Sequence, residues 1–286
     1  MVRKKDLEKY IMAPEIKQYG DWQVFDFHGK DARGYDFTVQ LSPLDALAYQ
    51  TEPPAAKADR VKMYLGGDPA DIGRLDTEID INIGTASCRI DAAAMAYIPK
   101  GVSFRHRVVR KPARNGWAFS LALPPEYTEP GKPAAANPAP GKTSANLEDK
   151  LILRQVKQKW PTINPLASDF VAGSRDFLKD VKGARPNFAL YYIMRAGMFP
   201  ETPHSHHCDE YLMFLPADPH NMKGLGAVIE VAYGEEWKKI AFADSALVFF
   251  PKELQHCPIH VKKMDRPFLF GHFWPMGEES HILPAK

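Results

Sequence analysis

Residues 203–210 read Pro-His-Ser-His-His-Cys-Asp-Glu and run directly into the apolar segment Tyr-Leu-Met-Phe-Leu, a pattern typical of a strand. Two of the histidines and the glutamate have the spacing His-x-His-x-x-x-Glu, which places His204, His206 and Glu210 in one motif. A further histidine, His256, ends the later segment Pro-Lys-Glu-Leu-Gln-His. Neutral imidazole and carboxylate are the usual ligands of a catalytic divalent metal ion. We therefore predict that these four residues hold one metal ion.

Strand geometry explains the spacing of this motif. Side chains on a strand alternate between its two faces, so His204 and His206 share a face, and Glu210 joins them if the strand continues. The same alternation turns Cys208 toward the ligands unless a bulge shifts the register. A register that differs by one residue would make His207 the ligand in place of His206, and this alternative stays open.

The charge of the chain is nearly balanced. Among its 286 residues, 37 are Lys or Arg and 35 are Asp or Glu, for a net charge of +2. Such a balance argues against nucleic acid or an anionic membrane as a general partner. No apolar run approaches the roughly eighteen residues that span a bilayer, and the first residues lack the apolar core of a signal peptide. We expect a cytoplasmic protein with no nucleic-acid or membrane partner.

The three cysteines, Cys88, Cys208 and Cys257, argue against a disulfide framework because their number is odd. Two of them lie beside proposed metal ligands. Since free cysteine is commonly buried, we expect small buried thiols.

The chain outside the motif indicates two strand-rich blocks separated by a linker. Short apolar segments bounded by Gly, Pro and Asp are typical of an antiparallel sandwich or barrel. Residues 124–146 are rich in Pro, Ala and Gly and predict a linker. We therefore expect one domain over residues 1–123 and a second over residues 147–286. A helix is predicted over residues 146–160, between the capping Asn146 and a terminating proline.

The two blocks align on each other. The segment Met-Tyr-Leu-Gly-Gly-Asp-Pro from Met63 matches Met-Phe-Leu-Pro-Ala-Asp-Pro from Met213 at an offset of 150 (213 minus 63). An insertion of two residues then brings Ile98 onto Phe250 in a shared x-Pro-Lys pattern. This repeat predicts a duplicated domain. At the aligned positions the proposed ligands are replaced by residues that cannot bind a metal: Pro54, Ala56, Arg60 and Phe104.

The chain resembles a bicupin, a protein with two cupin β-barrels in one polypeptide. The first cupin motif is matched by His204, His206 and Glu210, and the second by Pro251 and His256. The resemblance covers most of residues 20–123 and 185–275. It implies an all-β fold of two cupin barrels (double-stranded β-helix, jelly-roll) with a few short helices, and a metal site kept only in the second barrel.

Four positions depart from the cupin motifs. One glycine, Gly197, precedes the first histidine by one residue more than the family pattern has. The other three departures replace two glycines and an asparagine of the pattern; they are Ala217, Glu253 and His260.

Three further residues are candidates for contact with a substrate. His260 follows His256 by four residues, and His272 lies in a strand-like segment expected to line the same barrel. Either can act as a proton donor or a substrate contact, or can be an interior histidine. Arg195 lies on the predicted strand that leads to the motif and can bind a substrate carboxylate.

Three histidines and one glutamate leave about two open positions on a six-coordinate metal ion. The resemblance implies a metal-dependent enzyme with a small polar organic substrate and one divalent transition metal ion, Fe, Mn, Ni or Zn. Within the family a dioxygenase-type oxidoreductase is the favoured reaction class. The first alternative is an isomerase, decarboxylase or lyase. The second alternative is a protein without catalytic activity, either a small-molecule-binding bicupin or a sensor. The resemblance also implies a homo-oligomer, most simply a homodimer.

Overall fold

The computed structural model describes residues 8–50, 55–122, 152–153, 165–168, 172–173, 188–274 and 281–282. Most elements in this part of the chain are short strands, and its two helical segments, Gly29–Arg33 and Leu44–Tyr49, are also short. The elements up to the end of the first strand-rich block are β1 (Ile11–Met12), β2 (Glu15–Tyr19), β3 (Trp22–His28), α1 (Gly29–Arg33), β4 (Thr38–Pro43), the 3-10 helix η1 (Leu44–Tyr49), β5 (Arg60–Leu65), β6 (Arg74–Ile83), β7 (Ala86–Ala92), β8 (Ala94–Ile98), β9 (Phe104–Val108) and β10 (Trp117–Ala122).

The remaining elements are all strands. They are β11 (Ile152–Leu153), β12 (Ala172–Gly173), β13 (Phe188–Ile193), β14 (Gly197–Met198), β15 (Ser205–His206), β16 (Glu210–Leu215), β17 (Gly224–Tyr233), β18 (Lys238–Asp244), β19 (Ala246–Phe250), β20 (His256–Met264), β21 (Phe268–Phe273) and β22 (His281–Ile282). The predicted all-β class is confirmed.

The first barrel, made of β2 to β11, consists of two antiparallel sheets. The larger sheet has the strand order β11-β8-β5-β10-β4-β3-β2, and the smaller has the order β7-β6-β9. Along β6 every second residue is buried, as expected for a strand with one face on the core. Its inward residues Ile79 and Ile81 are almost fully buried.

The second barrel, made of β1 and β12 to β22, repeats this plan. A six-stranded sheet with the order β1-β19-β16-β21-β13-β12 accompanies a four-stranded sheet with the order β14-β20-β17-β18, and β15 pairs with β22. One continuous cluster of buried side chains joins the two larger sheets; it includes Leu212, Phe214, Phe270, Val231 and Ile259. The same cluster includes Phe250, whose ring stacks on His256.

The strand register confirms the predicted internal repeat. Met63 on β5 pairs with Phe119 on β10, and Met213 on β16 pairs with Gly271 on β21. The hydrogen bonds of one loop also recur, because the amide of Lys100 donates to Asp59 Oδ1 at 2.7 Å and the amide of Lys252 donates to Asp209 Oδ1 at 2.8 Å. The two halves therefore share detailed loop geometry as well as strand order.

The chain divides into two compact units, each made of several segments, and the predicted domain boundaries stay a prediction. One unit comprises Met1–Pro14, Gln158–Arg175 and Arg185–Lys286, and the other comprises Glu15–Lys157 and Asp176–Ala184. Strand β1 pairs with β19 of the second barrel, and β11 pairs with β8 of the first. The predicted linker, residues 124–146, lies outside the described residues.

The predicted helix over residues 146–160 is wrong where the structure describes it. Ile152 and Leu153 form the short strand β11, with Ile152 opposite Ala96 on β8. Pairing with a sheet edge overrides the helix-forming pattern, because tertiary contacts outweigh intrinsic propensity. The other residues of that segment lie outside the described part of the chain. Within the described residues, no helix has both the length and the apolar character needed to cross a membrane.

A pair of equivalent turns gives the first prediction. Gly101 and Glu253 occupy the same turn of the two repeats with φ of 81° and 65°. A Cβ at Gly101 would meet nothing within 4 Å, so backbone conformation alone opposes a side chain there. We expect Gly101→Ala to lower the free energy of unfolding by about 1 kcal/mol in urea denaturation. The reverse change, Glu253→Gly, should not lower it. A Gly101→Ala protein as stable as the wild type would contradict this account.

Candidate metal centre

Backbone pairing brings the two parts of the site together. His204 forms an isolated β-bridge with His256, in which the amide of His204 donates to His256 O at 3.1 Å and the amide of His256 donates to His204 O at 2.9 Å. His206 lies on β15, and Glu210 is the first residue of β16. A bend at residues 207 and 208 separates these strands, so the motif is not the continuous strand that its spacing suggests.

Four side chains converge in this buried place. His206 Nε2 lies 3.3 Å from Glu210 Oε2, and His256 Nε2 lies 3.1 Å from the same oxygen. The ring of His204 lies 4.9 Å from that of His206 and 4.5 Å from that of His256, measured between centroids. All four residues are buried. These are the four residues that the sequence predicts as ligands. The ligating atoms of His206, Glu210 and His256 all lie within 4.8 Å of one another, and His204 lies within the same distance of His256.

Two backbone carbonyls orient the imidazoles. His204 Nδ1 lies 2.7 Å from Thr202 O, and His256 Nδ1 lies 2.9 Å from Leu254 O. Because a carbonyl oxygen only accepts hydrogen bonds, each Nδ1 carries the proton in a neutral ring and each Nε2 presents a lone pair. A lone pair of His256 then lies against the carboxylate of Glu210. Such a contact between two acceptors is favourable when a cation lies between them.

Burial and neighbouring charges favour the ligand forms of these groups. Burial alone would raise the pKa of Glu210, but the neighbouring imidazoles of His206 and His256 hold it well below its ordinary value. Burial, and then the neighbouring imidazole of His256, lower the pKa of His204 to about 4. The carboxylate is therefore ionised and His204 is neutral at physiological pH, as metal binding requires.

A short loop positions His256. The amide of Glu253 donates to His206 O at 2.7 Å, and the amide of Lys252 donates to Asp209 Oδ1 at 2.8 Å. Both bonds connect the loop before β20 to the histidine motif. Asp209 is thus a positioning residue that sequence reasoning did not single out.

Aromatic rings support the imidazoles. The ring of Phe250 stacks on His256 at 4.1 Å and an interplanar angle of 11°. Trp274 packs edge-on against His206 at 5.9 Å and lies 4.6 Å from the ring of His272. Trp274 is buried, and its ring contacts both His206 and His272.

The other candidate residues lie at different distances from the site. His207 is exposed, which favours His206 as the ligand. His272 borders the site through Trp274. His260 pairs with Glu230 on β17, on the face of β20 opposite the core residues Ile259 and Val261.

Arg195 is also outside the site. It is exposed and donates to the carbonyl of Pro165. The structure therefore does not bring Arg195 or His260 to the imidazoles.

Cys257 lies closer to the site than its assignment as a small buried thiol suggests. Its sulfur lies within 4.8 Å of ligating nitrogens of both His204 and His256, and it is 3.8 Å from Glu201 Oε2. Burial raises the pKa of this thiol well above its ordinary value. Burial also raises the pKa of Cys208, to about 11. The position of Cys257 directly after His256 was the only signal in the sequence.

The loop bond of Asp209 gives the second prediction. We expect Asp209→Ala to weaken the binding of Mn²⁺ about tenfold in calorimetric titration, because the loop that carries His256 loses an anchor. Asp59→Ala removes the equivalent bond from the first barrel and serves as the matched control. It should leave Mn²⁺ affinity unchanged; equal losses in both variants would show a general effect on folding instead.

The lowered pKa of His204 gives a third prediction, for the metal-free protein. The unfolded chain takes up a proton on this histidine near its ordinary pKa of 6.5, whereas the folded protein does so at about 4. The unfolded state therefore binds more protons between these values, and the free energy of unfolding should fall as the pH decreases from 6.5 to 4. In urea denaturation, the free energy of unfolding of His204→Asn should fall less steeply with decreasing pH than that of the wild type. The exposed control His207→Asn should fall as steeply as the wild type. Equal slopes for all three proteins would contradict the assignment.

No family model matches the sequence, and no curated protein matches it. A solved structure of a mutant of oxalate decarboxylase OxdC from Bacillus subtilis superposes with a TM-score of 0.53 at 10% identity, over 94% of this chain and 77% of that chain. Another structure of the same enzyme, described by its Mn(II) centres, superposes with a TM-score of 0.51, also at 10% identity and with the same coverage. AerE from Microcystis aeruginosa covers 93% of this chain and 98% of that chain at 12% identity; its TM-score of 0.49 is too low to support an argument.

The oxalate decarboxylase structures are cupin barrel proteins. At 10% identity their likeness concerns the fold alone. The chain has the predicted fold, two cupin barrels in one polypeptide.

Proposed function

We infer that the chain is a metal-dependent enzyme whose centre is held by His204, His206, Glu210 and His256 in the second barrel. One observation carries this inference: Nε2 of His206 and Nε2 of His256 lie 3.3 and 3.1 Å from the same carboxylate oxygen. The carbonyl contacts of His204 and His256 direct their lone pairs into the same space. A buried ionised glutamate among neutral imidazoles is costly unless a cation compensates it.

The donor set is suited to a divalent transition metal. Three nitrogen ligands and one oxygen ligand leave about two positions for water or substrate in a six-coordinate ion. A bound ion of this kind acts as a Lewis acid that polarises a carboxylate or carbonyl oxygen of the substrate. The chain supplies a dry surrounding, because Phe250 and Trp274 cover the imidazoles on one side.

The substrate that fits this arrangement is a small polar molecule with a carboxylate or carbonyl oxygen. Decarboxylation, from the alternative group of reactions, is favoured over the dioxygenase chemistry that the family resemblance implied. The support is that solved structures with this fold are of oxalate decarboxylase, one of them described with Mn(II) centres. Manganese is accordingly the first metal to test. Homo-oligomerisation and a cytoplasmic location remain predictions from the family resemblance.

The fourth prediction concerns turnover. Protein purified without oxygen and loaded with Mn²⁺ should release carbon dioxide from a member of a panel of small carboxylic acids, without consuming stoichiometric oxygen. His256→Ala should lower this rate at least about a hundredfold, because it removes a metal ligand. His207→Ala is the matched control and should keep wild-type turnover.

Three results would contradict parts of this proposal. Consumption of oxygen in proportion to product would show that the reaction belongs to the dioxygenase class instead. A carboxylic acid that stabilises the protein and is never consumed would favour a binding protein over an enzyme. Native protein that contains no stoichiometric metal would contradict the proposed metal centre.

A further inference from the structure

The imidazole of His256 belongs to two clusters of possible metal ligands. In the first cluster it lies with His206 and Glu210, and in the second it lies with His204 and Cys257. Within each cluster the ligating atoms all lie within 4.8 Å of one another, and all five residues are buried. The first cluster offers nitrogen and oxygen donors, whereas the second offers nitrogen and sulfur donors. The proposed metal centre leaves the thiol of Cys257 unused.

The backbone at Cys257 brings its sulfur toward the histidines. Neighbouring residues of a regular strand point to opposite faces, so a regular strand would keep Cys257 and His256 apart. Cys257 has a φ of 68°, in the left-handed region that residues other than glycine rarely adopt. The register of the paired strand also shifts between Val231 and Tyr233, opposite the start of β20. The alternation is interrupted at this point, and both side chains reach His204.

An exposed carboxylate lies beside this buried thiol. The thiol of Cys257 donates to Glu201 Oε2 at 3.8 Å. Glu201 is exposed, so it connects the thiol with solvent. When a divalent ion binds, the sulfur gives the ion its electron pair and the thiol proton is released to water, with Glu201 as its first acceptor.

Tyr233 adds a hydrogen-bond donor near Cys257. Its side chain is almost completely buried, and among the described residues its hydroxyl has no hydrogen-bond partner. Burial, and then the neighbouring Cys257 and Tyr10, raise the pKa of Tyr233 well above its ordinary value, so the hydroxyl keeps its proton. A buried donor without a partner is costly. A thiolate at Cys257 would give this hydroxyl an acceptor.

Sulfur and carboxylate donors suit different metal ions. Thiolate is a soft ligand that suits Zn²⁺, whereas carboxylate suits Mn²⁺. Zn²⁺ binds imidazole nitrogen and thiolate sulfur in tetrahedral sites, at bond lengths of about 2.0–2.3 Å. Such bonds hold the donors roughly 3.5 Å apart. Because the donors of the second cluster already lie within 4.8 Å of one another, small side-chain rotations bring them onto one ion.

We propose that the second barrel has a second metal-binding mode, in which His204, His256 and Cys257 hold a thiophilic (sulfur-preferring) divalent ion such as Zn²⁺ or Cd²⁺. This mode excludes the ion of the proposed centre, because both modes use His204 and His256. It deepens the proposed function and rests on it, since a thiophilic ion inhibits the enzyme by occupying its centre. At the aligned position of the first barrel, Arg105 takes the place of Cys257.

Titration of the metal-free full chain with Cd²⁺ tests this mode by ultraviolet absorption, because a bond between thiolate and cadmium adds a charge-transfer band. We expect the band of the wild type to grow until one Cd²⁺ is bound per chain. Cys257→Ser should lack the band and bind Cd²⁺ about tenfold or more weakly, because it loses the thiolate ligand. Cys208→Ser and Cys88→Ser are the matched controls and should keep both the band and the affinity.

The two modes also differ in the other ligands that they need. His206→Gln should weaken the binding of Mn²⁺ about tenfold or more and that of Cd²⁺ no more than about threefold, because His206 belongs to the first cluster alone. Cys257→Ser should have the reverse effect on the two ions. In the wild type, Cd²⁺ should displace Mn²⁺ with a stoichiometry of one to one, because His256 cannot serve both ions.

Failure of this inference is distinguishable from failure of the proposed function. Wild-type protein that binds Mn²⁺ but shows no cadmium band would overturn the second mode and leave the proposed centre standing. A band that persists in Cys257→Ser, or Mn²⁺ and Cd²⁺ bound together on one chain, would overturn the second mode as well. Protein that binds neither ion would overturn both.

Crystals of the wild type loaded with Cd²⁺ keep the test independent of folding defects in the variants. We expect one anomalous peak within bonding distance of Cys257 Sγ and of ring nitrogens of His204 and His256. A peak bonded to nitrogen and oxygen alone, without the sulfur, would overturn the inference.

Discussion

The contact between a buried carboxylate and two imidazole nitrogens is the constraint on which the second barrel depends. Nε2 of His206 and Nε2 of His256 lie 3.3 and 3.1 Å from Glu210 Oε2. This arrangement concentrates electron pairs in an apolar interior, and it is favourable only with compensating positive charge. The reciprocal backbone bonds between His204 and His256 and the two carbonyl contacts hold the imidazoles in place. The apolar core behind them supplies the stability that such a polar centre does not.

The duplication shows how one scaffold supports two electrostatic environments. Strand register and loop hydrogen bonds are shared between the halves, as the bonds of Asp59 and Asp209 illustrate. The side chains that face the interior differ: Glu210 and His256 in one barrel correspond to Arg60 and Phe104 in the other. Sheet geometry is set by backbone pairing and apolar packing, so inward-facing positions can change charge without changing the fold.

Sequence patterns predicted the features that depend on the spacing of residues along the chain. They missed the features that depend on local strand register. The repeat, the all-β class and the residues that meet in the second barrel follow from periodicity and from a motif. His260 was a candidate substrate contact, and strict alternation over the four residues from His256 would place both histidines on one face. A register shift between Val231 and Tyr233, opposite the start of β20, changes that phase and turns His260 outward.

The sequence also did not predict which strands pair when they are far apart in the chain. Strand β1 belongs to the second barrel although it precedes the first, and no periodicity in a two-residue strand indicates its partner. The bend at residues 207 and 208 breaks the expected strand and leaves Glu210 beside His206, which alternation alone does not predict.

Anomalous diffraction from crystals grown with Mn²⁺ tests the central claim most directly. We expect one strong anomalous peak in the second barrel, within bonding distance of Nε2 of the three imidazoles and of the carboxylate of Glu210, and none in the first barrel beside Arg60 and Phe104. Metal–nitrogen and metal–oxygen distances near 2.0–2.3 Å would mark direct coordination. A second barrel without a peak, or a peak coordinated by other residues, would contradict it.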